Sequence, residues 1–242
     1  MQIFLDANMF VMVDGIDGSG KSTITKAWRE MFEARSEKIF DAVAFAKAQR
    51  RIPTIEDVGD AHIIFSAEPT YAGLGKELRD HMLSPGSTAT PREVTEKFAE
   101  ARAELYEAMI IPALAAGKVI IQDRGLTSSL AYQPTMSEEI TEEFVAGLPG
   151  NQLALQHRPD YVILCDVPAD VAMSRLAGRT EKQDDSIFEK KEYMLRVAAR
   201  FQTTSWQKYL TDAGTKIIVF NANQPIALAI RAAQRLLIDL VV

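Results

Sequence analysis

The chain has a single cysteine, Cys165, in 242 residues. It can form no internal disulfide, which excludes the disulfide-stapled class of small secreted folds. Cys165 lies inside an apolar run and reads as a buried structural thiol in a reducing compartment. No apolar stretch approaches the ~18 residues that a membrane-spanning helix needs. The first residues lack a basic segment and include Asp6, so no signal peptide is expected. Positive charge is also in deficit: 27 Lys and Arg stand against 33 Asp and Glu, a net charge of -6. An acidic chain is a poor non-specific partner for nucleic acid, so its basic clusters are expected to serve small anions. These absences point to a cytoplasmic protein with neither nucleic acid nor membrane as partner. Hydrophobic residues make up 47% and charged residues 25%, enough for a sizeable core. Without an internal repeat or dividing linker, residues 1–242 read as one α/β domain.

What the sequence does contain is organised around Val11-Met12-Val13-Asp14-Gly15-Ile16-Asp17-Gly18-Ser19-Gly20-Lys21-Ser22-Thr23. An apolar run from Met9 to Val13 reads as a buried strand, followed by a glycine-rich turn and the start of a helix. Gly15, Gly20, Lys21 and Ser22 fit the pattern Gly-x-x-x-x-Gly-Lys-Ser/Thr, a phosphate-binding loop. Its glycines let backbone N–H groups approach a polyphosphate, and the helix N-terminus adds partial positive charge. Lys21 reaches the β- and γ-phosphates in such a loop, and the Ser22 hydroxyl holds Mg²⁺. Binding of a nucleoside triphosphate follows, with Gly15, Asp17, Gly18, Ser19, Gly20, Lys21, Ser22 and Thr23 as the binding segment.

Strands are expected at Met9–Val13, Ala61–Ser66, Lys118–Arg124, Pro159–Asp166 and Lys216–Phe220. Helices are expected over Thr23–Arg35, Ala42–Arg51, Gly75–Met82 and Thr90–Ala116. Further helices are expected around Ser128–Gln133, over Met136–Ala146, after Pro168, from Ile187 and over Ile226–Leu240. The alternation specifies a three-layer, doubly wound, parallel five-stranded sheet. A return from the first helix to the sheet needs only a few residues, so 36–60 is an insertion. Its Lys47, Arg50 and Arg51 read as a solvated face. In open sheets of this kind ligands bind beyond the C-terminal strand ends, where Glu68, Asp123 and Arg124 emerge. Arg102 falls on the same helix face as Phe98 and, as an inward charge, needs a partner; an internal salt bridge is the plain one. Arg175 and Arg179 lie one turn apart before the polar stretch Thr180 to Ser186, which suits a lid over 174–190 that brings cations to a reaction.

The combination of Asp14–Thr23, Glu68-Pro69, Phe98 with Arg102, Asp123-Arg124 and Ser128-Ser129-Leu130-Ala131-Tyr132-Gln133 resembles the thymidylate kinases, P-loop nucleoside monophosphate kinases. Asn221-Ala222-Asn223-Gln224-Pro225 is similar to their adenine-side loop. The resemblance implies a P-loop kinase fold with a lid, transfer of the ATP γ-phosphoryl group to dTMP, Mg²⁺ held through Ser22 and Asp123, and a homodimer. It implies that Phe98 stacks on thymine and that Arg102 and Arg124 hold the acceptor phosphate. Glu68, Pro69, Ser129, Tyr132 and Gln133 line the substrate pocket, and Asp17 meets the sugar 3′-hydroxyl or the metal shell. Lys21, Arg124 and Arg179 are the implied catalytic cations, with Arg175 on the adenine side. Gly18 stands where one subgroup carries a catalytic arginine. Ala67 replaces the arginine usual before Glu-Pro, and Gly125 replaces the aromatic or histidine usual after Asp-Arg.

Such phosphoryl transfer needs positioning and charge neutralisation more than covalent chemistry. A phosphate acceptor is already ionised and needs no general base. A kinase for another deoxynucleoside monophosphate, or for a deoxynucleoside with Glu68 as base, is the alternative. A GTP switch lacks its Asn-Lys-x-Asp signature here, and a non-catalytic P-loop module is the third possibility.

Overall fold

Met9–Asp14 forms β1, and all six of its residues are buried. An unbroken apolar run requires that burial, because helices cover both faces of a parallel strand. The computed structural model describes residues 8–178 and 191–240. From β1 the chain enters α1 (Lys21–Glu33), β2 (Ile39–Asp41), α2 (Ala42–Gln49), α3 (Ile55–Val58) and β3 (Ile63–Ala67). Helix α4 (Gly73–Glu77) continues into a π turn at Leu78–Met82. Helix α5 (Pro91–Leu105) passes through a second π turn, Tyr106–Ile110, into α6 (Ile111–Ala115). Then come β4 (Val119–Asp123), α7 (Leu126–Met136), α8 (Glu142–Gly147), α9 (Pro149–Gln156) and β5 (Tyr161–Asp166). Helices α10 (Ala169–Ala177), α11 (Lys191–Phe201) and α12 (Lys208–Thr211) precede β6 (Lys216–Asn221) and α13 (Ile226–Leu240). Among these residues no helix is long and apolar enough to cross a membrane.

The strands form one parallel sheet in the order β2-β3-β4-β1-β5-β6. The step from β1 to β2 runs one way along the sheet and every later step runs the other. Right-handed connections therefore put α1 on one face and α5 and α7 on the opposite face. Helix α13 returns to α1, where the Trp28 indole N–H donates to the Ala233 carbonyl at 2.7 Å. The sheet has six strands among the described residues, not the expected five. The addition is β2, contributed by the insertion: three half-buried residues at the edge, paired with Ile63–Phe65. Three residues with no alternation leave no periodic signal. The expected helix over Met136–Ala146 is also corrected. Ser137 is extended, α8 starts only at Glu142, and α9 was not anticipated.

Local chemistry sets several boundaries. Thr90 and Glu93 form a reciprocal capping box on α5, with Pro91 in its first turn. Asp41 caps α2, its carboxylate accepting from the Ala44 N–H at 2.8 Å. Helix α2 lies against the end of β3, where Ala42, Val43 and Ala46 meet Ala67 and Thr70 around a small cavity. Lys47 Nζ sits 4.0 Å from the centroid of the Tyr71 ring, and the Arg79 guanidinium also lies at 4.0 Å. The insertion is thus docked beside the Glu68-Pro69 turn.

Candidate active site

The phosphate loop closes the C-terminal end of β1 between β4 and β5. Gly20 takes φ +99° at the N-cap of α1, a left-handed conformation that glycine adopts without a Cβ penalty. The Lys21 ammonium turns back over the loop and donates to the Gly15 carbonyl at 3.0 Å and the Ile16 carbonyl at 2.9 Å. Burial lowers its pKa and Arg124 adds to that, against Asp17, Asp123 and Asp14. Ser22 is exposed at the start of α1, Thr23 is half-buried and Ser19 is buried.

Arg124 follows β4 at φ +68°, a strained conformation for a residue with a Cβ. That turn aims its side chain across the loop. Its guanidinium donates to the Gly15 carbonyl (3.2 Å), the Asp17 carboxylate (2.6 Å) and the Ser128 hydroxyl (2.9 Å). The Tyr132 hydroxyl donates to Asp17 at 3.3 Å and accepts from Arg124 at 3.5 Å. Burial pushes the Asp17 carboxyl up, but Arg124 and Lys21 outweigh it and hold the group at about 2. Asp17 is thus a fixed anion and Arg124 a fixed cation. Burial raises the Asp123 carboxyl instead, and its buried Oδ1 has no hydrogen-bond partner among the described residues. Unpartnered Asp123 oxygen and an exposed Ser22 hydroxyl are hard donors that fit Mg²⁺. Among the described residues no group of three His, Cys, Asp or Glu is gathered to hold a metal by itself. Phosphate oxygens would complete such a shell.

Arg102 occupies a second, buried cluster. Its guanidinium pairs with Glu68 at 2.7 Å, the two side chains being 1% and 5% exposed. It also donates to the Ser129 hydroxyl at 2.9 Å and to the Asn151 amide oxygen. The Gln122 amide donates to the other Glu68 oxygen at 3.0 Å, and the Gln133 amide donates to Ser129 at 3.1 Å. Phe98 lies one turn before Arg102 on α5, half-buried. Among the described residues Arg102 Nε, Gln122 Oε1 and Gln133 Oε1 are buried without a hydrogen-bond partner. The salt bridge expected for an inward arginine is present.

On the donor side the Arg175 guanidinium donates to the Ala222 carbonyl at 2.9 Å, which joins α10 to the Asn221–Gln224 turn. Gly18 packs against the same helix. It has φ +78°, and a Cβ there would stand 2.2 Å from the Ala172 carbonyl oxygen. A catalytic arginine therefore has no room at position 18. Gly18→Ala is expected to cost about 1–3 kcal/mol through left-handed strain and displaced backbone. Gly18→Arg is expected to lower ATP turnover rather than add a useful cation. Thermal unfolding and turnover of the two variants check both statements. At position 125 a Cβ would meet the buried Met12 methyl at 2.2 Å, so a large side chain there requires Met12 to move. Arg179 and the stretch Thr180 to Ser186 lie outside the described residues, as does most of the expected lid over 174–190.

Several contributors were missed from sequence. Asp14 is fully buried; it accepts from the Gly15 N–H at 2.7 Å and the Ser128 hydroxyl at 2.7 Å, and also from Thr127. It pins the loop to α7. A carboxylate ending an apolar strand was the available signal. Asn151 and Gln122 carried none, because their partners are distant in sequence.

A family model described as Thymidylate kinase matches residues 52–231. A thymidylate kinase of Neisseria meningitidis is 32% identical over 197 residues, covering 78% of this chain and 78% of that protein. Probable thymidylate kinases of two archaea give similar values. That of Thermococcus kodakarensis is 33% identical over 189 residues, 75% of this chain and 78% of its own. That of Thermococcus onnurineus is 32% identical over 205 residues, 80% and 85%. The chain belongs to the thymidylate kinase family.

Proposed function

We propose that this protein transfers the γ-phosphoryl group of ATP to dTMP, yielding dTDP and ADP. The observation that carries the reading is the reach of Arg124. It connects the phosphate loop, at Gly15 and Asp17, to the α7 side chains Ser128 and Tyr132. One fixed cation thus faces both a donor loop and an acceptor pocket, as in-line transfer between two phosphates requires.

Lys21 and the loop N–H groups hold the β- and γ-phosphates, and Arg124 takes the acceptor phosphate. Ser22 and Asp123 would hold Mg²⁺, which would supply further neutralising charge to the transferring group. Arg102 is already neutralised by Glu68. Its unpartnered Nε and the unpartnered Gln133 Oε1 form a donor and an acceptor, suited to a base edge more than to a phosphate. Phe98 supplies a ring for stacking on that base. Pro69 and Ser129 complete the pocket wall. Arg179 remains the proposed transition-state cation on the strength of its sequence context. We read residues 1–242 as one kinase domain, acting in the cytoplasm as a homodimer.

A nucleoside acceptor needs a free carboxylate base. Glu68, the candidate, is buried and ion-paired with Arg102, which favours the monophosphate. With ATP fixed, kcat/KM for dTMP is expected to exceed that for dUMP, dCMP, dGMP and thymidine. A higher value for thymidine or a purine monophosphate refutes the substrate assignment. Arg175→Ala is expected to weaken ATP binding several-fold while leaving kcat nearly unchanged, because its contact lies on the adenine-side turn. Equilibrium ATP titration beside steady-state kinetics checks this; loss of kcat alone contradicts it.

A further inference from the structure

Helix α7 carries the acceptor-side residues, and Pro134 interrupts it. Proline has no N–H, so the Leu130 carbonyl loses its i→i−4 donor, and the carbonyls of the last turn, from Gln133 to Met136, lie beyond the helical ladder. Helix α11 adds donors from outside on both sides of this break, to Tyr132 within the ladder and to Pro134 beyond it. The Tyr193 hydroxyl donates to the Tyr132 carbonyl at 2.5 Å, and Arg200 donates to the Pro134 carbonyl at 3.4 Å. Arg200 is itself held by Glu142 at 3.1 Å. The Tyr132 ring is packed between two α11 aromatics, with centroids 6.3 Å from Tyr193 and 6.1 Å from Phe201. Burial raises the Tyr193 pKa, so its hydroxyl keeps its proton and remains a donor at neutral pH.

We propose that Tyr193 is a positioning residue for the acceptor: by holding the Tyr132 carbonyl it fixes the Tyr132 hydroxyl against Asp17. The inference rests on the reading that α7 lines the nucleoside monophosphate pocket. A packing role alone needs only the ring of Tyr193, since Phe201 makes a comparable contact without a hydroxyl. The hydroxyl adds direction. It ties the backbone of the residue whose side chain touches the phosphate loop, so a small rotation of α7 about Pro134 is prevented where it would carry Tyr132 away from Asp17.

The test is Tyr193→Phe, which removes only the oxygen, measured alone and in a Tyr132→Phe background. With dTMP as the varied substrate, Tyr193→Phe is expected to raise the dTMP KM at least fivefold. The ATP KM should stay within about twofold, the span expected when only one site is disturbed. In the Tyr132→Phe background the same change is expected to have little further effect on the dTMP KM, because the hydroxyl being positioned is gone. A lowered melting temperature with unchanged dTMP KM, equal losses for both substrates, or full additivity in the double variant overturns the positioning role. If the wild type phosphorylates dTMP normally and Tyr193→Phe matches it, the positioning role alone falls. If the wild type turns over no nucleoside monophosphate, the functional reading falls and takes this inference with it.

Discussion

Lys21→Ala is expected to leave the protein folded and to lower kcat by about two or more orders of magnitude, the scale seen when a preorganised charge stabiliser is removed. The ammonium is placed before any ligand arrives, 3.0 and 2.9 Å from the Gly15 and Ile16 carbonyls. Losing those charge-assisted hydrogen bonds costs about 1.5–3 kcal/mol each, and removing a buried ammonium relieves its desolvation penalty in return. Gly15 moreover retains Arg124 as a donor. The catalytic loss is larger because nothing else in the loop carries positive charge. Gly18 cannot be replaced by a cation, since α10 stands against it. Arg124 is engaged by Asp17, and the Asp14 carboxylate lies 3.6 Å away. Removing Lys21 leaves Asp14, Asp17 and Asp123 facing an incoming polyphosphate with one cation fewer. Circular dichroism and a thermal melt establish the fold, and ADP release gives kcat. A folded variant with near-normal turnover would falsify the assigned role.

Arg102→Met is expected to destabilise the protein by about 3–5 kcal/mol at neutral pH, because it strands a buried carboxylate. Glu68 is 5% exposed, and among the described residues the Gln122 amide is the side-chain donor left to it once Arg102 is gone. The loss should depend on pH with a definite sign. Burial already holds the Glu68 carboxyl above its ordinary 4.5, with Arg102 opposing the rise. Without Arg102 the folded-state pKa climbs further. The folded protein then binds a proton that the unfolded chain releases, so stability is fully present below about 4.5 and falls as pH rises through the folded pKa. The gap between Arg102→Met and wild type is therefore expected to be small near pH 4.5 and to widen toward pH 8. Adding Glu68→Leu to Arg102→Met should recover much of the stability, since an apolar pair leaves no orphaned charge. Urea melts at several pH values test both points. A penalty independent of pH, or a double variant as unstable as the single one, contradicts the account.

The sheet was legible wherever strands were long and buried. β1 and β5 are six-residue strands, each a five-residue apolar run ending in aspartate, and their expected positions agree with the structure. β2 was not legible, because an edge strand of three half-buried residues acquires its identity only by pairing with Ile63–Phe65. The break between α7 and α8 was expected too early, just after Gln133: α7 runs on to Met136, and Ser137 starts a turn in which its hydroxyl accepts from the Glu139 N–H and its carbonyl from the Ile140 N–H. Within the site, the residues of the phosphate loop could be read because their chemistry is compressed into a short contiguous motif. Arg102 was legible as an inward charge in need of a partner. Which partner was not, since Glu68 is 34 positions away in the sequence and Asn151 is 49.

The sequence by itself determined the class of chemistry: glycines at fixed spacing, a lysine and a hydroxyl can form a triphosphate cradle whatever surrounds them. It also determined the parallel sheet, because alternating buried strands and amphipathic helices have few other ways to hide their apolar faces. Only the tertiary structure decided how charge is distributed over the site. Folding pairs Arg102 with Glu68 and Arg124 with Asp17, and leaves Asp123 Oδ1 without a hydrogen-bond partner among the described residues. It also decided why positions 18 and 125 are glycine, through the approach of the Ala172 carbonyl and the Met12 side chain. The physical reason is range. Backbone preference and hydrophobic period act over a few residues and are written locally, whereas ion pairing, desolvation and steric exclusion depend on neighbours that only the folded chain brings together.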